Sequence, residues 1–295
     1  MTDEALITIT SGALTAGIHP LGAELWSLRD ADGRELMTDA DPAFWTGHAP
    51  LLFPFVGRLR EDSYRIDGHG FSLPQHGFAR RMAFALYEHE GDVARFRLED
   101  DAETRRNYPF CFRLDMAFAL SGTTLAMTAT VSNRGEAAMP FSFGYHPAFA
   151  WPLPYGGAKA DHRIVFEKDE PAPLRKVGHE PGLIALDHAP SPVEGRVLAP
   201  THAMFAQDAL IWDDLNSRSL TWGVPGRPSL RIAFPDTPWL GLWQKPGAQY
   251  LCVEPWAGMA DPVGFDGDVW DKPGVMRLAP GESRDFRMTV TLTET

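Results

Sequence analysis

The sequence of 295 residues contains few cysteines and no long apolar run. Its two cysteines, Cys111 and Cys252, lie in strand-like apolar runs, which favours buried thiols over a disulfide or a nucleophile, and two cysteines make no metal framework. No apolar stretch approaches the roughly 18 residues that span a bilayer. The first residues, MTDEALITIT, lack the basic and apolar regions of a secretory signal. The sequence therefore predicts a cytoplasmic protein that does not bind membranes.

Basic side chains are also scarce, at 27 against 39 acidic ones, which gives a formal net charge of −12. No long run of lysine and arginine offsets this charge, so the chain is expected to repel nucleic acid. The ten histidines are scattered without metal-ligand spacing such as H-E-x-x-H, which argues against metal-dependent hydrolysis.

Helical periodicity is nearly absent, and DDAETRRN is the best short candidate for a helix. Alternating apolar residues in FRLDMAFAL and LAMTATV, joined by Ser121-Gly122, predict a hairpin, and FRMTVTLT near the C-terminus repeats the pattern. Many short strands between Gly, Pro and Asp turns predict a large all-β sandwich or barrel with few short helices. The sequence has no internal repeat of fixed period, which argues against a propeller.

The region from Pro147 to Pro200 carries nine prolines. It predicts long connections interrupted by brief strands such as RIVFE. Long loops in compact domains are often functional, and these begin directly after a histidine. We interpret them as walls of a site.

That histidine is His146, in the stretch FSFGYHPAF. The following proline favours an extended backbone, and alternation places His146 with Ser142 and Gly144 on a face almost empty of side chains. The imidazole either fills a gap in a core or faces a pocket.

A second ionisable residue, Glu254 in YLCVEPWAG, has the same setting of strand, proline and aromatic. Alternation puts Glu254 on one face with Tyr250 and Cys252. A carboxylate on so apolar a strand is costly to bury unless it is paired, so Glu254 is either an ion-pair partner or a tuned acid or base. The repeated setting favours the second reading.

Two further segments offer hydrogen-bond donors. Arg58 ends the apolar run LLFPFVGR, and LPQHGFARR crowds Gln75, His76 and Arg80 into a short loop. Such donors suit vicinal hydroxyls, although a surface arginine and ordinary turn residues are the plain alternatives. The tryptophans of WLGLWQKP share one face, where covering a sugar ring and packing a core explain them equally.

Four of these segments occur in one order along most of the chain: VGRL at 56–59, PQHGFAR at 74–80, FSFGYHPAF at 141–149 and CVEPWAG at 252–258. With them the chain resembles the aldose 1-epimerase (galactose mutarotase) superfamily, in the branch with HGFAR-type and hexose-6-phosphate epimerase-like sequences. The resemblance implies one antiparallel β-supersandwich domain over residues 1–295, without cofactor or metal, that holds an open sugar site.

The resemblance also implies roles for individual residues. His146 is similar to the family's general acid and Glu254 to its general base. Asp208, in FAQDALIWDD, is similar in position to a sugar-binding aspartate. The implied substrate contacts are Arg58, Gln75, His76, Arg80 and Asp208.

The expected activity is therefore interconversion of the α and β anomers of a hexose, with a sugar or a sugar phosphate as partner. A hexose-6-phosphate epimerase is the first alternative, in which Arg58, Arg80 and Arg81 would form a phosphate-binding cluster. A silent carbohydrate-binding sandwich is the second, and the presence of both His146 and Glu254 argues against it. An acidic surface with strand edges is compatible with a monomer or a homodimer.

Overall fold

The computed structural model describes residues 6–180 and 182–294, and nearly all of its regular elements are strands. In chain order the strands are β1 (Ile7–Thr10), β2 (Leu14–His19), β3 (Glu24–Asp30), β4 (Leu51–Leu52), β5 (Ser63–Ile66), β6 (His69–Ser72), β7 (Ala85–Glu90), β8 (Val93–Glu99), β9 (Phe112–Ser121), β10 (Thr124–Asn133), β11 (Met139–Phe141), β12 (Phe143–Tyr145), β13 (Ala148–Ala150), β14 (Arg163–Phe166), β15 (Leu174–Val177), β16 (Ile184–Ala189), β17 (Val197–Leu198), β18 (Leu210–Trp212), β19 (Ser219–Gly223), β20 (Ser229–Ala233), β21 (Trp239–Trp243), β22 (Tyr250–Ala257), β23 (Met276–Leu278) and β24 (Ser283–Thr293).

Helices are few and short, as the sequence predicts. The helix expected in DDAETRRN is a single turn, α1 (Thr104–Asn107). Short 3-10 segments cover Arg60–Asp62, Ala79–Arg81, Lys159–Asp161, His202–Phe205 and Val269–Asp271. Within the described residues, no helix has the length and apolar character needed to cross a membrane.

Two large sheets form the molecule. The nine-stranded sheet has the order β17-β14-β19-β20-β24-β10-β9-β8-β7. The eight-stranded sheet has the order β16-β15-β18-β21-β22-β12-β4, with β13 added beside β22. Neighbouring strands of both sheets pair antiparallel, which confirms the prediction of an all-β antiparallel sandwich.

The long strands of the nine-stranded sheet follow the period-two pattern of the sequence. In β9, buried residues such as Phe112 and Met116 alternate with half-exposed ones, because successive side chains point to opposite faces. Ser121 and Gly122 make the turn into β10, and the φ of 54° at Gly122 suits a residue without a Cβ. Strand β24 then pairs with β10 along most of its length.

The two sheets pack through aromatic residues of β12. The ring of Phe143 stacks on Phe286 of the other sheet at a centroid distance of 5.0 Å. The Tyr145 hydroxyl accepts a hydrogen bond from the Ala129 amide at 3.0 Å and donates one to the Phe286 carbonyl at 2.8 Å. Phe143 and Tyr145 therefore face the core between the sheets, and Gly144 faces away from it.

The cysteines are unbonded thiols in different environments. Cys252 is fully buried in β22, as predicted. Cys111 is half-buried, because it precedes the first inward-facing position of β9. The expectation of burial therefore holds fully for only one of them.

Candidate functional site

The register of the eight-stranded sheet brings His146 and Glu254 together. Gly144 of β12 pairs with Trp256 of β22, and Ala148 of β13 pairs with Cys252 of the same strand. His146 lies in the interval between β12 and β13, so the same register places it opposite Glu254. Cross-strand neighbours have Cβ atoms about 4.5–5.5 Å apart, close enough for direct contact of their side chains.

The two side chains are in contact at the floor of a cavity. His146 Nε2 lies 3.2 Å from Glu254 Oε2, and the residues are 7 % and 2 % exposed. Burial raises the pKa of Glu254 well above its usual value, and the charge of Asp208 adds to this shift. Burial likewise lowers the pKa of His146 well below its usual value. Both shifts arise because a charged group loses hydration when it is buried.

The cavity above this pair has a volume of about 690 Å³. Loops after β15, around residue 208 and after β21 form its walls, so part of the proline-rich region does border the site as predicted. Six of the residues singled out in the sequence line it: Gln75, His76, Arg80, His146, Asp208 and Glu254.

Two glycines make room for an aromatic part of the floor. A Cβ on Gly144 would lie 2.6 Å from Cδ1 of Trp256, and a Cβ on Gly241 would lie 2.6 Å from its Cη2. The indole of Trp256 thus fills the space that the sequence left empty beside Gly144. Ser142 faces the same region, where its hydroxyl accepts a hydrogen bond from the Val56 amide at 2.7 Å. His146 therefore lies beside the packed indole of Trp256, and its side chain lines the cavity.

His76 is fixed as a hydrogen-bond donor toward the cavity. Its backbone has a left-handed φ of 65°, and its amide donates to the Gly57 carbonyl at 2.9 Å. The Gly57 amide in turn donates to Nδ1 of His76 at 3.1 Å. Burial, together with the positive charges of Arg80 and Arg81, lowers the pKa of His76 to about 3. The neutral ring therefore carries its proton on Nε2.

Arg80 and Asp208 place opposite charges near the pair. Arg80 is half-buried, and its charge opposes the rise in the pKa of Glu254. Asp208 is exposed, has a left-handed φ of 104°, and accepts a hydrogen bond from the Ala209 amide at 2.8 Å. Gln75 is exposed at the same mouth, and its side-chain amide lies beside the Nε2–H of His76. These groups offer both donors and acceptors to a polar ligand.

Arg58 and Arg81 have other positions. Arg58 Nε lies 3.1 Å from Oδ1 of Asp62, outside the set of described residues that line the cavity. Nη1 of Arg81 donates to the Gly77 carbonyl at 3.0 Å, and this arginine is also outside that set. The three arginines of the predicted phosphate cluster therefore do not converge on the cavity.

The sequence does not predict Trp45 as a site residue, and it does not assign Trp243 to either a sugar-covering or a core-packing role. The indole of Trp45 lies 5.0 Å from the His146 ring, and that of Trp243 lies 6.0 Å from it, centroid to centroid. Both line the cavity. The shared face of Trp239 and Trp243 was a signal for the second. Trp45 lies in an irregular segment, where no periodic pattern indicates which way its side chain points.

Comparison with known proteins agrees with the geometry. The sequence model of the family described as aldose 1-epimerase matches residues 5–291. The chain belongs to the aldose 1-epimerase family. The chromosomal Protein LacX of Lactococcus lactis subsp. lactis is 33% identical over 297 aligned residues, which cover 97% of this chain and 99% of that protein.

Solved structures of similar proteins share the fold. A galactose mutarotase related enzyme from Lactobacillus acidophilus is 31% identical, with a TM-score of 0.89 over 98% of each chain. A galactose mutarotase-like protein from Lactobacillus casei is also 31% identical, with a TM-score of 0.90 over 98% of this chain and 100% of that one. The fold is therefore the galactose mutarotase-like β-sandwich, in agreement with the resemblance in the sequence.

Proposed function

We propose that the protein is an aldose 1-epimerase that interconverts the α and β anomers of an unphosphorylated hexose. The observation that carries this proposal is the contact of 3.2 Å between His146 and Glu254 at the floor of the cavity. Membership of the aldose 1-epimerase family supports a reaction on a sugar. The roles of general acid for His146 and general base for Glu254 are part of the proposal.

The reaction needs two proton transfers. Glu254 takes the proton of the anomeric hydroxyl, the C1–O5 bond breaks as the C1 carbonyl forms, and His146 delivers a proton to O5. Rotation about the C1–C2 bond turns the other face of the carbonyl toward O5. The reverse transfers then close the ring and return each proton to its donor. General acid or base assistance contributes about 10² to 10⁴-fold per group.

The buried pair can hold the single proton that this chemistry uses. A neutral His146 with a protonated Glu254 contains as many protons as an imidazolium with a carboxylate. Burial favours the neutral form, since it raises the pKa of Glu254 and lowers that of His146. The 3.2 Å distance from Nε2 of His146 to Oε2 of Glu254 keeps the two residues close enough to share this proton, and sugar hydroxyls that bind beside them would supply the hydrogen bonds that stabilise the charged form.

Other residues of the cavity fit a hexose. Nε2 of His76 and the guanidinium of Arg80 are donors for hydroxyl oxygens, and the Asp208 carboxylate is an acceptor. The indoles of Trp45 and Trp243 beside His146 offer apolar surface for the C–H face of a sugar ring. We therefore assign substrate contacts to Gln75, His76, Arg80 and Asp208, and we assign Arg58 no direct one.

The positions of the arginines favour an unphosphorylated substrate. A phosphate is best held by several convergent cations, and guanidinium groups bind it in a bidentate manner. Of Arg58, Arg80 and Arg81, Arg80 alone borders the cavity among the described residues. The exposed Lys245, on the connection after β21, is a second cation of its wall, so the 6-phosphates are included in the test below.

The proposal is tested by anomer exchange, measured by NMR saturation transfer on glucose, galactose and their 6-phosphates, with the spontaneous rate subtracted. We expect faster exchange for at least one free hexose, and its loss in Glu254→Gln. Faster exchange for the phosphates alone would replace the proposed substrate with a sugar phosphate. Binding without exchange would indicate a silent carbohydrate-binding protein. The cytoplasmic location and the state of monomer or homodimer stay predictions from the sequence.

A further inference from the structure

A third reactive group, the thiol of Cys252, lies beside the acid and base pair and has no part in the proposed reaction. Cys252 is two residues before Glu254 on the same face of β22, and its cross-strand neighbour on β13 is the small Ala148. One potential ligand atom each from His146, Cys252 and Glu254 can be chosen so that all three lie within 4.8 Å of one another. All three residues are buried.

The imidazole also has an unsatisfied atom. Within residues 6–180 and 182–294, no other residue is a hydrogen-bond partner of the buried Nδ1 of His146, although buried polar atoms are nearly always paired. Nε2 of the same ring already lies 3.2 Å from the Glu254 carboxylate. The ring therefore offers Nε2 as the ligand beside the carboxylate, while Nδ1 has no partner on another described residue.

The donor set and its spacing fit one kind of metal ion. Thiolate, imidazole and carboxylate are the ligands of Zn²⁺, at about 2.0–2.3 Å from the ion, which sets tetrahedral ligands roughly 3.3–3.8 Å apart. The 3.2 Å contact between His146 and Glu254 is close to this spacing. A movement of the Cys252 side chain would bring its sulfur from within 4.8 Å to this spacing, and water would complete the coordination from the cavity that His146 and Glu254 line.

Charge balance favours binding at this depth. A divalent cation held by one thiolate, one carboxylate and one neutral imidazole forms a site with no net charge, which avoids the cost of burying an isolated ion. Two protons leave when the ion binds, one from the thiol and one from the pair. The thiol must lose its proton to bind the ion.

We propose that His146, Cys252 and Glu254 form a binding site for a thiophilic divalent cation such as Zn²⁺, and that the bound ion blocks the acid and base pair. Binding is independent of the function proposed above, whereas inhibition rests on it. The cavity gives the ion a path to the pair, and Cys252 lies behind it as the ligand that selects a soft metal over Mg²⁺ or Ca²⁺.

The test uses Co²⁺ as a spectroscopic probe for the zinc site. We expect wild type to show thiolate-to-cobalt charge-transfer absorption that added Zn²⁺ abolishes. Cys252→Ala should lose the absorption and weaken Zn²⁺ affinity by at least about 100-fold, since even outer partners of a metal site are worth roughly 10- to 100-fold. Cys111→Ala removes the other, half-buried thiol and should retain both signals.

Absence of the absorption in wild type, or its persistence in Cys252→Ala, would overturn the proposal. If Cys252→Ala does not fold, Glu254→Gln tests the same site, because a carboxamide is a poor zinc ligand, and unchanged Zn²⁺ affinity in that variant would count against the site. The activity readout is separate. Inhibition by Zn²⁺ that a chelator reverses is expected, and tight binding without inhibition would uphold the site while contradicting the catalytic role of the pair.

Discussion

Lys272 and Asp261 form a buried ion pair outside the cavity lined by His146 and Glu254. Lys272 Nζ lies 2.6 Å from Asp261 Oδ1, and the two side chains are 1% and 4% exposed. Oδ2 of the same carboxylate accepts a hydrogen bond from the Arg60 amide at 2.8 Å, and the Asp261 amide donates to the Arg58 carbonyl at 2.9 Å. Asp261 lies just after β22, the strand that carries Glu254. Its hydrogen bonds therefore connect this part of the chain to the VGRL segment.

Replacing one partner of this pair is expected to destabilise the fold. Lys272→Met leaves the Asp261 carboxylate buried without its counter-ion, which costs about 3–5 kcal/mol of the free energy of unfolding. Urea denaturation followed by circular dichroism measures this loss. Lys176→Met is the matched control, because Lys176 pairs with Asp187 on the surface, where such pairs contribute about 0–1 kcal/mol. Equal effects of the two substitutions would contradict the structural role of Lys272.

The packing of Trp256 on Gly144 gives a second prediction. Gly144→Ala puts a Cβ 2.6 Å from the indole and should cost about 1–3 kcal/mol of stability through overpacking. Because the indole borders the cavity, the KM for the sugar should rise as well. Gly70→Ala, at a strand position with open space around it, serves as the control and should stay within about 0.5 kcal/mol of wild type. A Gly144→Ala protein with wild-type stability and KM would show that the indole has room to move.

The sequence predicts those features that depend on local alternation. The hairpin of β9 and β10 and the shared face of Gly144 and His146 follow from a period of two residues, because each strand fixes its own faces. The contact of His146 with Glu254 depends instead on the register between distant segments. The sequence predicts that each residue ends a similar strand, which is wrong for Glu254 because β22 continues through Pro255 to Ala257, and it contains no signal for their alignment.

Trp45 shows why a cavity residue escapes prediction, and Arg58 shows why a predicted contact does not line the cavity. Trp45 lies in a segment held by the buried carboxylate of Glu24, whose Oε1 accepts hydrogen bonds from the amides of His48 and Ala49 at 2.7 and 2.8 Å. This anchor is non-local and leaves no periodic pattern. Arg58 pairs with Asp62 across a turn in which Asp62 has a left-handed φ of 49°. Secondary-structure propensities of single residues do not predict this turn, so the sequence does not indicate that Arg58 pairs with Asp62.

The pH dependence of activity follows from the single proton held by the pair. Adding a second proton requires His146 to become cationic, and burial, together with His76 and Arg80, lowers its pKa well below 6.5. Activity should therefore persist at neutral pH and fall on the acid side only below pH 6.5. Removing the last proton is opposed because burial raises the pKa of Glu254, so the alkaline limb should lie well above 4.5. A profile of kcat/KM against pH measures both limbs, and an acid limb centred above pH 6.5 would contradict the neutral resting form.

The joint action of the pair predicts non-additive losses. His146→Gln and Glu254→Gln should each lower kcat by about 10² to 10⁴-fold, because each removes one group from a proton transfer. When both residues act in one step, the double variant should lose little more than the worse single variant, since either change already disables the exchange. Saturation-transfer NMR on the four proteins gives the rates, and thermal unfolding checks that they are folded. Losses that multiply would mean that His146 and Glu254 assist separate steps, and the 3.2 Å contact between them would then have only a structural role.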